Sequence, residues 1–486
     1  MSLDEIRSAR LEKLVKIKES GVDPYPAESA GLFSLVELKN NFAGLKKKKS
    51  LLLNGRIVAI RAHGGSVFCD VYDGRGKFQI YLKEDEVGRD QFLLFNETAD
   101  VGDFFEFKGR LFLTKKKEKT LLASSHRILA KSLQPLPEKW HGLQDVEERY
   151  RKRYLDLLSN PEVRAHFDKR TALVAEIRRF LDKAGFQEVE TPILHPLAGG
   201  AAAKPFKTHH NALGQDFYLR IAPELYLKRL LVGGLEKIYE IGRSFRNEGI
   251  DATHNPEFTE LELYEAFSDA ESHMEFVEKL MRYLAKTVNK SAVLKYQGSD
   301  VNFSKKFARM SFEDALGRFA LVNNYRKMPD EEFELKAKRF GVETERGDTK
   351  AKVADKIFKK ICRPKIIQPT FVQYYPLDIL PLAKESKKHP GMADMYQLVM
   401  GGLELAKGFS ELNDPEEQRR RFESQEAMCE SGDEEASPMD EEFIETLEHG
   451  MPPAAGLGIG IDRLAMIFTD SVNIREVIFF PTMRPK

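Results

Sequence analysis

The chain has 486 residues, 42% hydrophobic and 31% charged, a composition that suits a folded protein of more than one domain and excludes extended disorder or collagen-like structure. Lys and Arg total 76, as do Asp and Glu, so net charge neither marks nor excludes a polyanionic partner. No apolar run approaches the roughly 20 residues that cross a bilayer, no signal-peptide pattern is present, and Cys69, Cys362 and Cys429 form no CxxC pair; the expectation is a cytoplasmic protein without a membrane partner, structural zinc or a disulfide framework.

In chain order, MSLDEIRSARLEKLVKIKES spaces Ile6, Leu11, Leu14 and Val15 as one amphipathic helix, closed by Gly21, Pro24 and Pro26. After the basic run Lys46 to Lys49 come five short alternating stretches, LLLNGRIVAIRAH, SVFCDVYD, KFQIYLKE, DFFEFKGRLFLT and LLASSHRILAKS, punctuated by turns such as DGRG at 73 to 76. Their close spacing predicts a small antiparallel barrel over residues 50–135. A linker, QPLPEKWHG, gives way to helical patterns in DVEERYRKRYLDLLSN and RAHFDKRTALVAEIRRFLDKAG. Strands are expected around YLRIAP, EKIYEIGR and PEFTELELY, a charged helical segment near residues 310 to 365, and a strand-helix unit in GLGIGIDRLAMIF. Mixed elements in one large C-terminal unit predict an α+β or α/β catalytic domain.

Four segments carry candidate chemistry. HNPEFTELELY alternates, so Leu261 and Leu263 face one way and Glu260, Glu262 and Tyr264 the other. RSFRNEG brings Arg246 and Glu248, GGLELAKGFSELNDPEEQ brings Glu404 and Glu411, and GLGIGIDRL places three glycines before Arg463. Alone, each has a bland reading as a solvated face, a surface turn or a Gly-rich packing corner. None is a P-loop, and GLGIGI lacks the acidic partner and βαβ context of a dinucleotide fingerprint.

Together the segments point further. RSFRNEGIDATHNPEFTELELY resembles the second signature motif of class II aminoacyl-tRNA synthetases, GLGIGIDRL the third, and RRFLDKAGFQEVETPIL the first. Along nearly its whole length the chain is similar to the lysyl-tRNA synthetases, through GVDPYP, SLQPLPEKWHGLQDVEERYRKRYLDL, GGAAAKPFKTHHNALGQDFYLRIAPELYLKRLLVGG, GFSELNDPEEQ and VIFFPTMRP, and least so over residues 270 to 365. The resemblance implies an α+β protein. A lead-in over 1–49 precedes an OB-fold β-barrel over 50–135 that binds the anticodon, and a linker spans 136–155. A class II catalytic domain over 156–486 follows, built on an antiparallel sheet flanked by helices, with a helical insertion around 270–365.

It also implies activation of L-lysine by ATP with Mg2+, transfer to tRNA(Lys), and a homodimer formed through the first-motif region. Carried onto this chain, Arg246 meets the α-phosphate and substrate carboxylate, Arg463 lies by the γ-phosphate and Phe258 stacks on adenine. Asn247, Glu248, His254, Asn255, Glu404, Leu405, Gly460, Ile461 and Asp462 complete the ATP site. Gly200, Glu224, Glu262, Tyr264 and Glu411 match the lysine-binding positions, with Lys407 a further candidate, and Glu411 and Tyr264 are expected to meet the ε-amine. Glu404 is the expected metal ligand, with Glu411 and Gln397 as further candidates. Arg61, Phe68 and Gln79 match positions that stack on and read anticodon bases, with Ile60 at the place of a second arginine.

Two positions depart from the pattern: Gln397 stands where the family carries a metal-binding glutamate, and Lys407 where it commonly places an asparagine. A neutral amide weakens an accessory magnesium contact. Two rival readings are a synthetase for aspartate or asparagine, against which Glu224, Glu262 and Glu411 together argue, and a tRNA-binding paralogue with impaired catalysis, against which Arg246, Glu248, Glu404, Glu411 and Arg463 argue.

Overall fold

The computed structural model describes every residue except Met1, Leu32, 138–142, Ala202, 345–347, 431–437 and Lys486, and the side chains of Cys429 and Glu430. The expected linker QPLPEKWHG thus lies partly outside the described residues. The chain folds as two compact units, Met1–Asn160 and Pro161–Lys486.

The N-terminal unit opens with the helix Leu3–Glu19, whose Ser2 and Glu5 satisfy each other's backbone N–H in a capping box. Five strands follow: β1 (Leu51–His63), β2 (Ser66–Tyr72), β3 (Lys77–Lys83), β4 (Phe104–Leu113) and β5 (Lys119–Ala130). They form an OB-like sheet in the order β1-β2-β3-β5-β4, in which β4 also pairs with β1. Alternation buries Val67, Cys69, Val71, Phe78, Ile80 and Leu82 inside and turns the residues between them outward. The helix Arg89–Thr98, between β3 and β4, was not anticipated; it buries Phe92 and Phe95 in the same core.

The C-terminal unit contains β6 (Gln187–Glu188), β7 (Leu194–His195), β8 (Phe206–His210), β9 (Gln215–Leu219), β10 (Lys237–Phe245), β11 (Glu257–Ala266), β12 (Val293–Tyr296), β13 (Ser299–Asn302), β14 (Ala308–Ser311), β15 (Thr370–Gln373), β16 (Met395–Met400), β17 (Leu403–Ser410) and β18 (Ala454–Gly460). Eight of them make one sheet, β14-β15-β16-β17-β18-β11-β10-β6. Its six central strands are antiparallel, while the β14–β15 and β10–β6 edges are parallel. The strand expected around YLRIAP lies in a separate three-stranded sheet, β7-β9-β8. Residues 270–365 are not wholly helical, since they include the β12–β13 hairpin beside the helices Ala270–Val288, Phe312–Ala320, Asp330–Arg339 and Lys350–Ile357.

Leu261 and Leu263 of β11 are fully buried with Leu173, Ile177 and Leu181 of the helix Pro161–Lys183, Val277 and Leu284 of Ala270–Val288, and Leu464 of Ile461–Thr469. Each such side chain contributes about 1.5–3 kcal/mol on burial, so this packing holds the register of β11. The opposite face of the strand is left for chemistry. Between β16 and β17 a two-residue turn, Gly401–Gly402, has both φ angles positive, 58° and 76°, as the tightest hairpins require. Among the described residues no helix is long and apolar enough to cross a membrane.

Candidate active site

Antiparallel pairing lines side chains up in rows across the sheet. One row runs Glu240, Glu262, Gly458, Lys407 and Gln397; the next runs Ile238, Tyr264, Gly456, Phe409 and Met395. The glycines of GLGIGI act as vacancies in this floor. A Cβ on Gly456 would sit 2.3 Å from both Glu411 Oε1 and Tyr264 Cε1, so only glycine leaves those two side chains room.

Over the floor stands a buried acidic group. Glu224 opens the helix Glu224–Val232, and one turn later Lys228 donates to its Oε1 at 2.6 Å. Lys228 also forms an ion pair with Glu411, just past β17. Tyr264 donates its hydroxyl to Glu262 Oε2 at 3.1 Å. Gly200, in a left-handed conformation at φ 92°, approaches Glu224, the Cβ position lying 3.4 Å away. Burial, followed by the charges of Glu260 and Glu224, pushes Glu262 well above the usual carboxylate range. Burial lifts Glu411 too; Lys228 pulls it back, Glu224 adds to the rise, and the carboxyl ends at about 8. The Lys228 ammonium is disfavoured by burial but held charged by Glu224 and Glu411. Glu224 and Glu411 therefore share one internal cation, and Glu262 lies close enough to feel the charge of Glu224.

The other end of the face is cationic. The Arg246 guanidinium lies 5.0 Å from the Phe258 ring centroid. Arg463 donates from Nη2 to His254 Nε2 at 2.8 Å. Since guanidinium can only donate, that nitrogen accepts, and Nδ1 carries the proton it gives to Asp251 Oδ2 at 2.8 Å. The Glu404 carboxyl is raised by burial but carried below its ordinary value by Arg463, Arg363, Lys407 and Lys359. Asp462 is turned away: its oxygens accept from Thr259 N at 2.8 Å and Arg170 Nη2 at 2.7 Å. Leu405 and Ile461 are buried in the core, so only their backbone is free to reach a ligand. Asn255 is engaged with Glu257 O and Thr482 N, while Asn247 and Glu248 are exposed.

In the N-terminal unit Arg61, Phe68 and Gln79 lie on one outward face. Arg61 is cross-strand from Phe68, and Phe68 from Tyr81. The Phe68 and Tyr81 rings stack at 4.3 Å. Arg61 is fixed by Asp70 at 3.1 and 3.0 Å, and Gln79 Oε1 accepts from Thr120 Oγ1 at 2.8 Å.

The family described as tRNA synthetases class II (D, K and N) matches residues 145–484, and an OB-fold nucleic acid binding domain matches 51–129. The chain is similar to lysine–tRNA ligases of Carboxydothermus hydrogenoformans, at 49% identity over 100% of this chain and 99% of the relative, and Moorella thermoacetica, at 47% over 99% and 98%. That of a Thermoanaerobacter species is 48% identical, over 100% and 97%. The chain belongs to the lysine–tRNA ligases of class II. No group of three or more His, Cys, Asp or Glu side chains placed to hold an ion occurs among the described residues. Gln397 Oε1 is already taken by the Tyr375 hydroxyl at 2.8 Å. The motifs of the synthetase family missed Lys228, although its i,i+4 spacing from Glu224 was a signal. They also missed Arg363 and Lys359, which no local pattern connects with Glu404, and Tyr81 under Phe68.

Proposed function

We propose that the chain activates L-lysine with ATP to lysyl-adenylate and transfers the lysyl group to the 3′-terminal adenosine of tRNA(Lys). The observation that carries this reading is the buried acid of Glu224, Glu262 and Glu411, of which Lys228 pairs with Glu224 and Glu411 and leaves Glu262 without an ion pair among the described residues. A buried charge without a partner is costly, and a substrate with two ammonium groups brings cations to these acids. An aspartate or asparagine side chain supplies none. Glu411 and Tyr264 take the ε-ammonium, while Glu224, Glu262 and the Gly200 backbone take the α-ammonium.

Phe258 stacks on adenine and Arg246, already over that ring, meets the α-phosphate and the substrate carboxylate. Arg463, oriented by His254, faces the γ-phosphate. Glu248, Asn247 and Asn255, with the backbone at Leu405, Gly460 and Ile461, surround the nucleotide, and Asp462 holds Arg170 and β11 behind it. A lysine carboxylate oxygen bonds to the α-phosphorus as the bond to pyrophosphate breaks, so fixed positive charge is the main requirement. A ribose hydroxyl then attacks the acyl carbon, AMP departs with the bonding pair, and the hydroxyl proton is released. Magnesium fits as the counter-ion that ATP brings, since among the described residues Glu404 has only Arg363, at 3.8 Å, as an ion-pair partner, whereas Glu411 and Gln397 are engaged. When bound, that ion draws charge from the phosphate oxygens.

The OB-like sheet works as an anticodon-binding barrel, with Phe68, backed by Tyr81, as the stacking platform and Arg61 and Gln79 beside it. Exposed Ile193 and Leu194, which end the first motif, and Leu197 just beyond it, at 46, 44 and 41%, support a homodimer there. The enzyme is cytoplasmic. ATP–pyrophosphate exchange with each of the twenty amino acids tests the reading. Exchange with lysine alone is expected; exchange with aspartate or asparagine, or with none, would overturn it.

A further inference from the structure

Glu404 and Lys407 are three residues apart on β17, and regular alternation would set them on opposite faces. The pairing register prevents this. Val399 lies opposite Glu404 and Leu398 opposite Ala406, so Leu405 is an extra residue, a bulge, and Lys407 falls opposite Gln397. Val399 and Gln397 are two apart and share a face, so Glu404 and Lys407 share it too. Leu405 and Ala406 are both buried in the core on the other side.

The chemistry of this pair is unlike that of an ion cradle. A divalent ion held by protein needs more than one carboxylate or carbonyl oxygen, yet the polar side chain on the same face of β16, two residues from the Val399 that pairs with Glu404, is the neutral amide of Gln397. The accepting oxygen of that amide is committed to Tyr375. The Lys407 ammonium stands between Glu404 and Glu224 electrostatically, and makes no side-chain hydrogen bond with either. Lys359, by contrast, is paired with Asp355 at 2.7 Å.

Resting on the lysine-activation reading above, we propose that the Lys407 ammonium is the phosphate-facing cation of this site, taking the place of a second, protein-held magnesium ion. Its three N–H donors and point charge suit the non-bridging oxygens of the β- and γ-phosphates. Glu404 orients the ammonium without neutralising it by direct contact. As the bond between the α-phosphorus and pyrophosphate breaks, the electron pair stays with the leaving oxygen, and Lys407 meets the charge that develops there without transferring a proton.

The test uses the full chain, with Lys407→Ala, Lys407→Arg and the double variant Gln397→Glu/Lys407→Asn, each checked for an unchanged unfolding transition. In lysine-dependent exchange, Lys407→Ala is expected to lower kcat/KM for ATP roughly tenfold to a hundredfold, with Lys407→Arg partly restoring it and KM for lysine nearly unmoved. Manganese bound in the presence of a non-hydrolysable ATP analogue, counted by electron paramagnetic resonance, is the second readout. The double variant is expected to bind one more ion per chain than the parent. Equal manganese counts would overturn the proposal, as would a Lys407→Ala effect confined to KM for lysine. If the double variant does not fold, the decision rests on the parent alone: more manganese than the nucleotide analogue carries by itself overturns the proposal, and no excess supports it. A parent that exchanges with no amino acid would defeat the lysine-activation reading, and the manganese count would still decide the role of Lys407.

Discussion

Lys228 and Glu411 are buried against each other, each 1% exposed, although one lies on a helix and the other at the end of a strand far along the chain. With Glu224 they form an acid-ammonium-acid bridge that ties the helix Glu224–Val232 to the end of β17.

Replacing Lys228 by Ala leaves that bridge without its internal cation. Breaking one partner of a buried pair typically costs about 3–5 kcal/mol, so the substrate-free variant should unfold at a clearly lower temperature. Added lysine, whose ammonium groups can enter the vacated field, should raise the midpoint of the variant more than that of the parent. Thermal unfolding with and without lysine measures both effects; an unchanged substrate-free midpoint would show the bridge to be of no structural consequence.

Glu411→Gln keeps the shape of the side chain and removes its charge. The loss of a charge-assisted contact in a desolvated site should cost on the order of 2–4 kcal/mol in kcat/KM for lysine, with far less change for ATP. Exchange kinetics with each substrate varied in turn check this, and parent-like values would transfer the ε-ammonium to another acid.

Protonation adds a pH dependence with a definite sign. Burial raises Glu411 from its ordinary value of 4.5 to about 8, so in the substrate-free protein the carboxyl is neutral below that pH. Because the folded value is the higher one, the stability it contributes is complete below 4.5 and is lost as pH rises toward 8. An ammonium substrate needs the carboxylate, so lysine binding should tighten as pH rises toward 8 and release a proton below it. Calorimetric titrations in buffers of different ionisation enthalpy would detect that proton. A lysine Kd that is flat between pH 6.5 and 8, values chosen to bracket the approach to the raised pKa, would contradict the assignment.

Phe68→Ala removes one ring of the stack with Tyr81. Losing a base-stacking platform should cost about 1–3 kcal/mol in tRNA recognition while pyrophosphate exchange stays near that of the parent. Phe68 is only half-buried and lies outside the core formed by Val67 and Cys69, so the fold should survive. Equal damage to aminoacylation and exchange would mean that the ring supports the sheet instead.

Much of this was determined by the sequence alone. The alternation of HNPEFTELELY assigns Leu261 and Leu263 to the core and Glu260, Glu262 and Tyr264 to the opposite face, because strand periodicity is a local property of the backbone. The five alternating stretches before residue 131 likewise correspond to β1 to β5. Tertiary structure decided what local periodicity cannot express. The bulge at Leu405 reverses the face that simple alternation gives Lys407, because register depends on pairing with β16 rather than on β17 itself. The docking of the helix Glu224–Val232 brings Lys228 to Glu411, and the approach of Arg363 and Lys359 settles the charge around Glu404. Such contacts depend on how distant segments share one buried space, where an unpaired charge is costly and packing selects its partner.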